Sequence, residues 1–522
     1  MSSNRDNLET RLQSTNWGVL PRVLLIAVLL LPALSLAPRA DAAPKVQPDL
    51  LAIAAQHPDA RVSVIVQKVV KDNSVENMVT QLGGTVTKDL HIINAFAATL
   101  PAKGVSQLAR ANGVRWVSMD APVVKTDCSN CPVDTTKLLN AYDRAIGADR
   151  VWNLSTGYRQ GQGVGVAIVD SGVDWNNDFQ TTSGGWRILA NAKFSSFTAS
   201  TQDKYGHGTH VAGIVAGNGS YSSGGYVGVA PRANLLNLKV SDDQGQGTAS
   251  SVVDALQWVL NNKATYNIRV VNISLNSSVG QSYNVDPIDA ACEILWFNGV
   301  VVVVAAGNSG TTGLYAPAND PFVITVGATD DKGTAALSDD TIASFSAYGT
   351  TSDGIAKPDL VAPGTNIISV RTGASNATLP TLHPANKVGQ YYFKMSGTSM
   401  AAPMVAGAVA LLLQDEPNLN PDQVKYRLKS TAVSSTTTWR GYNAPKAGAG
   451  YLNVYGALMG TSTASSNTNL PASRLLWSGS TPVTWNSVNW NSVNWNSVNW
   501  NSVNWNSVNW NSVNWNSDYW GQ

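Results

Sequence analysis

A doubly wound α/β fold with a mostly parallel sheet, preceded by a small α+β domain, is the fold class this sequence predicts. Three observations carry the prediction. Short β-branched runs alternate with helical runs from about residue 160: GVGVAIV (163–169), ANLLNLKV (233–240), IRVVNISL (268–275), GVVVVVA (299–305) and FVITVGA (322–328), crossed by HVAGIVAG, ASSVVDALQWVLNN and PIDAACEILWFN. Strands apolar on both faces belong in a parallel sheet covered by helices on both sides. Ahead of them, residues 46–120 read strand, helix, two strands, helix, strand. Finally, polar residues able to do chemistry fall just after strands, where an open α/β sheet places its crevice.

The elements follow in order. Arg5, Arg11 and Arg22 precede the apolar run VLLIAVLLLPALSL (23–36), and Ala40-Asp41-Ala42 closes the segment. This is the pattern of a secretory signal peptide, with cleavage expected near Ala42. The apolar run contains Pro32 and is shorter than the roughly 20 residues a spanning helix needs. In the small domain, ARVSVIVQKV (60–69) is the first strand and SVENMVTQLG (74–83) the first helix, closed by Gly83 and Gly84. TVTKDLHII and AFAATLP supply two more strands, AKGVSQLARANG a second helix and VRWVSMD the last strand. That order is the split βαβ, or ferredoxin-like, arrangement.

After GYLNVYGALMG (450–460) comes TSTASSNTNLPAS, a linker by composition. WNSVN then repeats six times from Trp485 and once more as WNSDY. Five is odd, so in a strand successive Trp side chains alternate faces, and in a helix they form no seam. The segment is a polar–aromatic low-complexity tail. Its indoles suit stacking on cell-surface glycan, and a passive tail is the equally weighted reading.

Charged residues make up 13% of the chain, against roughly 25% in an ordinary domain, and the net charge is +1. There is therefore no electrostatic case for a nucleic-acid partner or an anionic membrane. Of three cysteines, Cys128 and Cys131 form C-x-x-C in a polar loop and read as a local disulfide, leaving Cys292 without an assigned partner. A zinc site there would need further ligands.

Four segments carry the chemistry. The strand at 163–169 runs into Asp170, His207 opens a helical run, Asn308 follows the strand at 299–305, and Ser399 sits directly ahead of an apolar run over 400–413. A serine hydroxyl is a weak nucleophile until a base takes its proton, and an oriented imidazole can be that base. A helix start offers unpaired N–H groups and positive partial charge to a developing oxyanion. VDSGVD, HGTHVAG, AAGN and SGTSMAAP, in this order, resemble the signature segments of the subtilisin-like serine proteases over about 160–460. Residues 46–120 resemble that family's inhibitory propeptide.

The resemblance implies a subtilisin-like fold and a secreted serine endopeptidase made as a zymogen. Its domains would be a signal peptide (1–42), an inhibitor-like propeptide (43–122), a catalytic domain (123–460), a linker (461–484) and the repeat tail (485–522). Asp170, His207 and Ser399 would form the triad, with Asn308 donating to the oxyanion. Polypeptide substrates would lie between DQGQG, through Gly245 and Gly247, and SLNSS, through Ser274, Leu275 and Asn276. Asn276 stands where many relatives have glycine, so the preference for the residue before the cut bond stays open. No cofactor is needed for the chemistry.

Structural calcium also stays open: Asp178 resembles a ligand position of some relatives, but the loop GNGSYSSGGYVG (217–228) has no carboxylate. His210 reads as a buried structural histidine, Asp174 as a turn carboxylate, and Ser396 and Thr398 as loop and capping hydroxyls. Two other functions fit the same chain. The site could serve peptide ligation or ester hydrolysis, or the protein could be a non-catalytic surface binder acting through its tail.

Overall fold

A computed structural model describes residues 45–121, 132–310 and 313–476, together with the backbone of 513–514. The expected signal peptide (1–42), Cys128, Cys131 and the remainder of the repeat tail lie outside the described residues. The chain divides into two compact units, Met1–Lys125 and Thr126–Gln522.

The first unit contains α1 (Pro48–Gln56), β1 (Arg61–Lys68), α2 (Ser74–Gln81), β2 (Thr85–Leu90), β3 (Ala95–Pro101), α3 (Val105–Ala109) and β4 (Val114–Met119). Its antiparallel sheet has the order β2-β3-β1-β4. Along β1 burial alternates, so Val62, Val64 and Val66 enter a core with Val75, Val79, Leu100 and Leu108. Helix α1 was not anticipated from the sequence. Pro48 starts it, since a proline at the first helical position gives up an N–H that has no partner there anyway.

The second unit adds α4 (Tyr142–Ala145), β5 (Gly165–Asp170), β6 (Ile188–Lys193), α5 (His207–Ala216), β7 (Asn234–Lys239), α6 (Ala249–Asn262) and β8 (Ile268–Ile273). There follow β9 (Asn276–Ser277), α7 (Pro287–Phe297), β10 (Val301–Ala305), β11 (Ile324–Asp330), β12 (Thr341–Ile342), α8 (Thr378–Leu382), α9 (Thr398–Asp415) and α10 (Pro421–Thr431). The main sheet runs β12-β11-β10-β8-β5-β7-β6, with the strand Leu360–Pro363 also beside β11. Only the β11–β12 pair in it is antiparallel. The predicted mostly parallel α/β fold is therefore the observed one.

Every residue of β5 is buried, and so is α9 from Thr398 to Leu413. A helix apolar around its whole circumference belongs inside a protein. The edge strand β6 escaped the sequence reading because ILANAK has one β-branched residue and only Ile188 is buried, too weak a pattern to mark a strand.

One boundary differs from expectation. The linker expected over 461–484 is fastened to the second unit through residue 476. Asn467 donates to Asp422 Oδ2 and Phe322 O, and the Ser473 N–H donates to Glu293 Oε2 at 2.7 Å. Small polar residues look like linker in one dimension; here their amides find buried acceptors.

Candidate active site

Strand β5 delivers Asp170 at its last position, and helix α5 begins at His207. Asp170 Oδ1 lies 2.8 Å from His207 Nδ1, with both side chains fully buried. The same oxygen accepts the Ser171 N–H at 2.7 Å. A carboxylate only accepts, so Nδ1 carries the hydrogen and the neutral ring presents the lone pair of Nε2. Gly208 makes this approach possible: a Cβ there would lie 2.1 Å from Gly172 O and 2.8 Å from Asp170 Oδ1.

A residue the sequence reading missed secures the histidine helix. Asp203 is buried and accepts four hydrogen bonds. Gly206 N–H and Ser171 Oγ reach Oδ1 at 2.7 and 2.8 Å, while Thr209 N–H and Oγ1 reach Oδ2 at 2.8 and 2.7 Å. Ser171 Oγ in turn accepts the Gly208 N–H. Burial raises the Asp203 pKa against the pull of these donors. The signal available in sequence was an acidic residue just ahead of a helix start, a common capping arrangement.

Ser399 is the second residue of α9. Its Oγ donates to Ser274 O at 3.2 Å, and Ser274 Oγ donates to Ser399 O at 3.1 Å. Pro403, inside the helix, makes the second bond available. It has no N–H to give the carbonyl four residues earlier, which is that of Ser399. Sheet register then brings the two halves of the site together. Val169 on β5 pairs with Ile273 on β8, so Asp170 and Ser274 follow at neighbouring strand ends, about 4.8 Å apart in a regular sheet. His207 is tied to the first and Ser399 to the second.

Asn308 follows β10, the next strand over, and its Oδ1 accepts both Thr398 N–H and Thr398 Oγ1 at 2.9 Å. An N–H must donate to oxygen, which fixes the amide's orientation. Nδ2 is buried and has no hydrogen-bond partner among the described residues. Thr398, expected to be only a capping hydroxyl, also accepts the Gly307 N–H at 3.0 Å and so positions Asn308 from two sides.

The two expected substrate segments differ in form. Residues 241–247 make a hairpin, with Ser241 bridged to Gly247 and Gly245 in the turn at φ +79°. Ser274 and Leu275 continue from β8 into β9, with the Leu275 side chain in the core. Asn276 turns inward and donates to Ala305 O at 3.0 Å, so its amide braces β9 against β10. The backbone of Val513–Asn514 pairs antiparallel with this segment, which therefore takes on an added strand.

His210 is buried, and its Nε2 lies 3.1 Å from Ile367 O and 3.0 Å from Phe393 O. Burial lowers its pKa to about 3, so it is a neutral structural donor. Asp174 Oδ2 accepts from Thr372 Oγ1, and Ser396 Oγ accepts the Asn366 N–H. Cys292 is buried and has no disulfide partner among the described residues.

Calcium does not fit the atoms around Asp178. Oδ1 accepts the Tyr221 N–H at 2.9 Å and Oδ2 the Tyr392 hydroxyl at 2.8 Å. The buried Arg187 guanidinium binds the Asp178, Ala216 and Ala233 carbonyls. A calcium ion binds through free oxygens, and donors already hold both Asp178 carboxylate oxygens and its carbonyl. Among the described residues no group of three or more His, Cys, Asp or Glu side chains is placed to hold a metal.

A parallel sheet with a buried Asp–His pair at one strand end, and a helix-start serine tied to the next, places this chain among the α/β serine hydrolases. It belongs to the subtilase family: the family profile, Peptidase S8, matches residues 161–465, more than half of the chain. The serine protease AprX of Bacillus subtilis (strain 168) is 41% identical over 307 residues, 58% of this chain and 67% of that protein. Subtilisin E of the same strain is 34% identical over 386 residues, 73% of this chain and 85% of that protein. The crystal structure of fervidolysin from Fervidobacterium pennivorans, described as a keratinolytic enzyme related to subtilisin, matches at 27% identity with a TM-score of 0.47. It covers 77% of this chain, which spans 61% of that one.

Proposed function

We propose that this subtilase is a secreted serine endopeptidase that cuts peptide bonds through an acyl-enzyme on Ser399. Ser399 Oγ attacks the substrate carbonyl carbon while His207 Nε2 takes its proton. The C–N bond breaks as that proton passes to the leaving amine, and water, deprotonated by the same imidazole, then releases the acid. Asp170 holds the tautomer and steadies the imidazolium. The Asn308 Nδ2 group and the Ser399 N–H donate to the oxyanion. The observation that carries this reading is the register of β5 on β8, which sets the Asp170–His207 pair beside the Ser274–Ser399 pair. Substrate backbone would add as a strand between 241–247 and 274–277.

A fluorophosphonate probe tests the nucleophile. It should label the processed protein at one serine, and Ser399→Ala should abolish that label. Labelling at another residue, or none in an active preparation, would defeat the assignment.

Residues 43–122 act in this reading as a propeptide that aids folding and is cut away, and the repeat tail as a surface attachment. A sheet of non-local parallel pairings folds slowly, so a folding assistant has a kinetic rationale. Chain lacking 43–120 should refold at least tenfold more slowly than chain refolded with that segment added in trans, by recovery of native fluorescence. Equal rates would remove the segment's folding role.

A further inference from the structure

Trp175, Tyr221 and Tyr391 line a hollow of about 270 Å³ to which none of Asp170, His207, Asn308 and Ser399 contributes. A fourth ring supports the first: Trp186 meets Trp175 edge to face, with centroids 4.5 Å apart and planes at 71°. Tyr221 lies flat on Tyr391, with centroids 3.7 Å apart and planes at 5°. Trp175, Trp186 and Tyr221 are nevertheless 51%, 38% and 37% exposed. A lone apolar side chain on a surface needs no explanation, but rings that hold one another in place around a concavity mark a place for a ligand.

The walls are preformed. Asn176 Oδ1 accepts the Asp178 N–H and Asp178 Oδ1 the Tyr221 N–H, both at 2.9 Å. The Arg371 N–H donates to Tyr391 O at 2.8 Å. Arg371 is also the only charged residue in the lining. Its guanidinium is anchored by a bond from Nη2 to Gln390 O. Yet Nε has no acceptor among the described residues, and the side chain forms no ion pair with any of them. A charged donor left short of an acceptor is costly, and an incoming oxygen relieves that cost. The nearby Asp174 carboxylate does not serve Arg371; its Oδ2 accepts from Thr372 Oγ1.

Size, charge and shape narrow the ligand. The hollow falls just short of the roughly 300–1,000 Å³ of pockets for drug-sized molecules, so it takes one ring-sized group rather than a length of chain. Arg371 asks for an anion, best a carboxylate, which a guanidinium pairs with directionally. The aromatic walls ask for a flat apolar face. An Asp or Glu side chain has the charge without the face, and a Phe or Trp side chain the face without the charge. A sugar acid has both, since the C–H bonds on one side of a pyranose ring form an apolar face and the ring carries the carboxylate. We propose that this hollow binds a uronate residue of an acidic polysaccharide, with its ring against the aromatic walls and its carboxylate on Arg371. The catalytic unit then has a glycan contact of its own, separate from the repeat tail. Among peptide groups, only a C-terminal aromatic residue combines the same two features, and the test includes one.

Calorimetric titration of the full chain tests this, in a Ser399→Ala background to prevent self-digestion and at low ionic strength, where charge pairing is least screened. The probes are tetragalacturonate, maltotetraose as its neutral counterpart, and an acetylated dipeptide ending in tyrosine with a free carboxylate. Tetragalacturonate should bind about tenfold more tightly than either of the others. Arg371→Met should erase that preference, and Trp175→Ala should weaken tetragalacturonate binding about fivefold. The repeat tail is present in every protein compared, so its contribution cancels in the differences. Trp175 is half exposed, so its replacement leaves the fold intact, and with the parent's preference it decides the matter even where Arg371→Met fails to fold. Equal binding of tetragalacturonate and maltotetraose, tighter binding of the dipeptide, or unchanged tetragalacturonate binding in either folded variant would overturn the proposal.

Discussion

Replacing Ser399 by Ala will lower kcat for peptide hydrolysis on the order of 10⁶-fold, the scale set by the same change in subtilisin. The fold should survive, because the bond from the Ser399 hydroxyl to Ser274 O is long at 3.2 Å and the buried helix around it is unchanged. His207→Ala should cost about as much, and the double variant no more than either alone, since a base without a nucleophile does nothing. Asp170→Ala should cost less, on the order of 10⁴-fold, because an imidazole without its orienting partner retains part of its function. Steady-state kinetics on one peptide substrate separates these cases. Effects of Ser399→Ala and His207→Ala that multiply would mean that the two residues do not act as a unit.

Asn308→Leu carries the second large effect: kcat should fall 10²–10³-fold, about 2.7–4 kcal/mol, with KM nearly unchanged. The Nδ2 group is buried, its orientation is fixed by Thr398, and it has no partner among the described residues, so it pays little reorganisation when charge develops on the substrate oxygen. The substitution also strips the Thr398 N–H and hydroxyl of their acceptor. A stability loss of about 1–3 kcal/mol should accompany it. Asn308→Asp keeps that acceptor and removes only the donor, so it should be inactive with a smaller loss of stability. A variant that loses stability but keeps kcat would assign Asn308 a structural role alone.

Much of the candidate site was legible in the sequence. Asp170, His207, Asn308 and Ser399 each fall at the end of a strand or the start of a helix, and local patterning marks those ends. Thr398 and Asp203 escaped because their importance lies in what they touch. A threonine ahead of a helix is usually a cap, and nothing local says that this one will hold the Asn308 amide and the Gly307 N–H at once. Asp178 could not be settled from the sequence. Its position suggested calcium, while the groups that fill its oxygens come from Tyr221 and Tyr392, far along the chain.

The division follows from the range of the forces involved. Alternation of apolar residues, glycines where backbones nearly touch, and residue types able to do chemistry are properties of short stretches, so the chain announces its strands, its central helix and its reactive side chains directly. Partnership is different. Whether Asp170 stands next to Ser274, and whether residues 461–476 hang free or pack down, depend on register and burial between segments many residues apart. Such contacts gain their strength from the exclusion of water, and water is excluded only once the whole unit has closed.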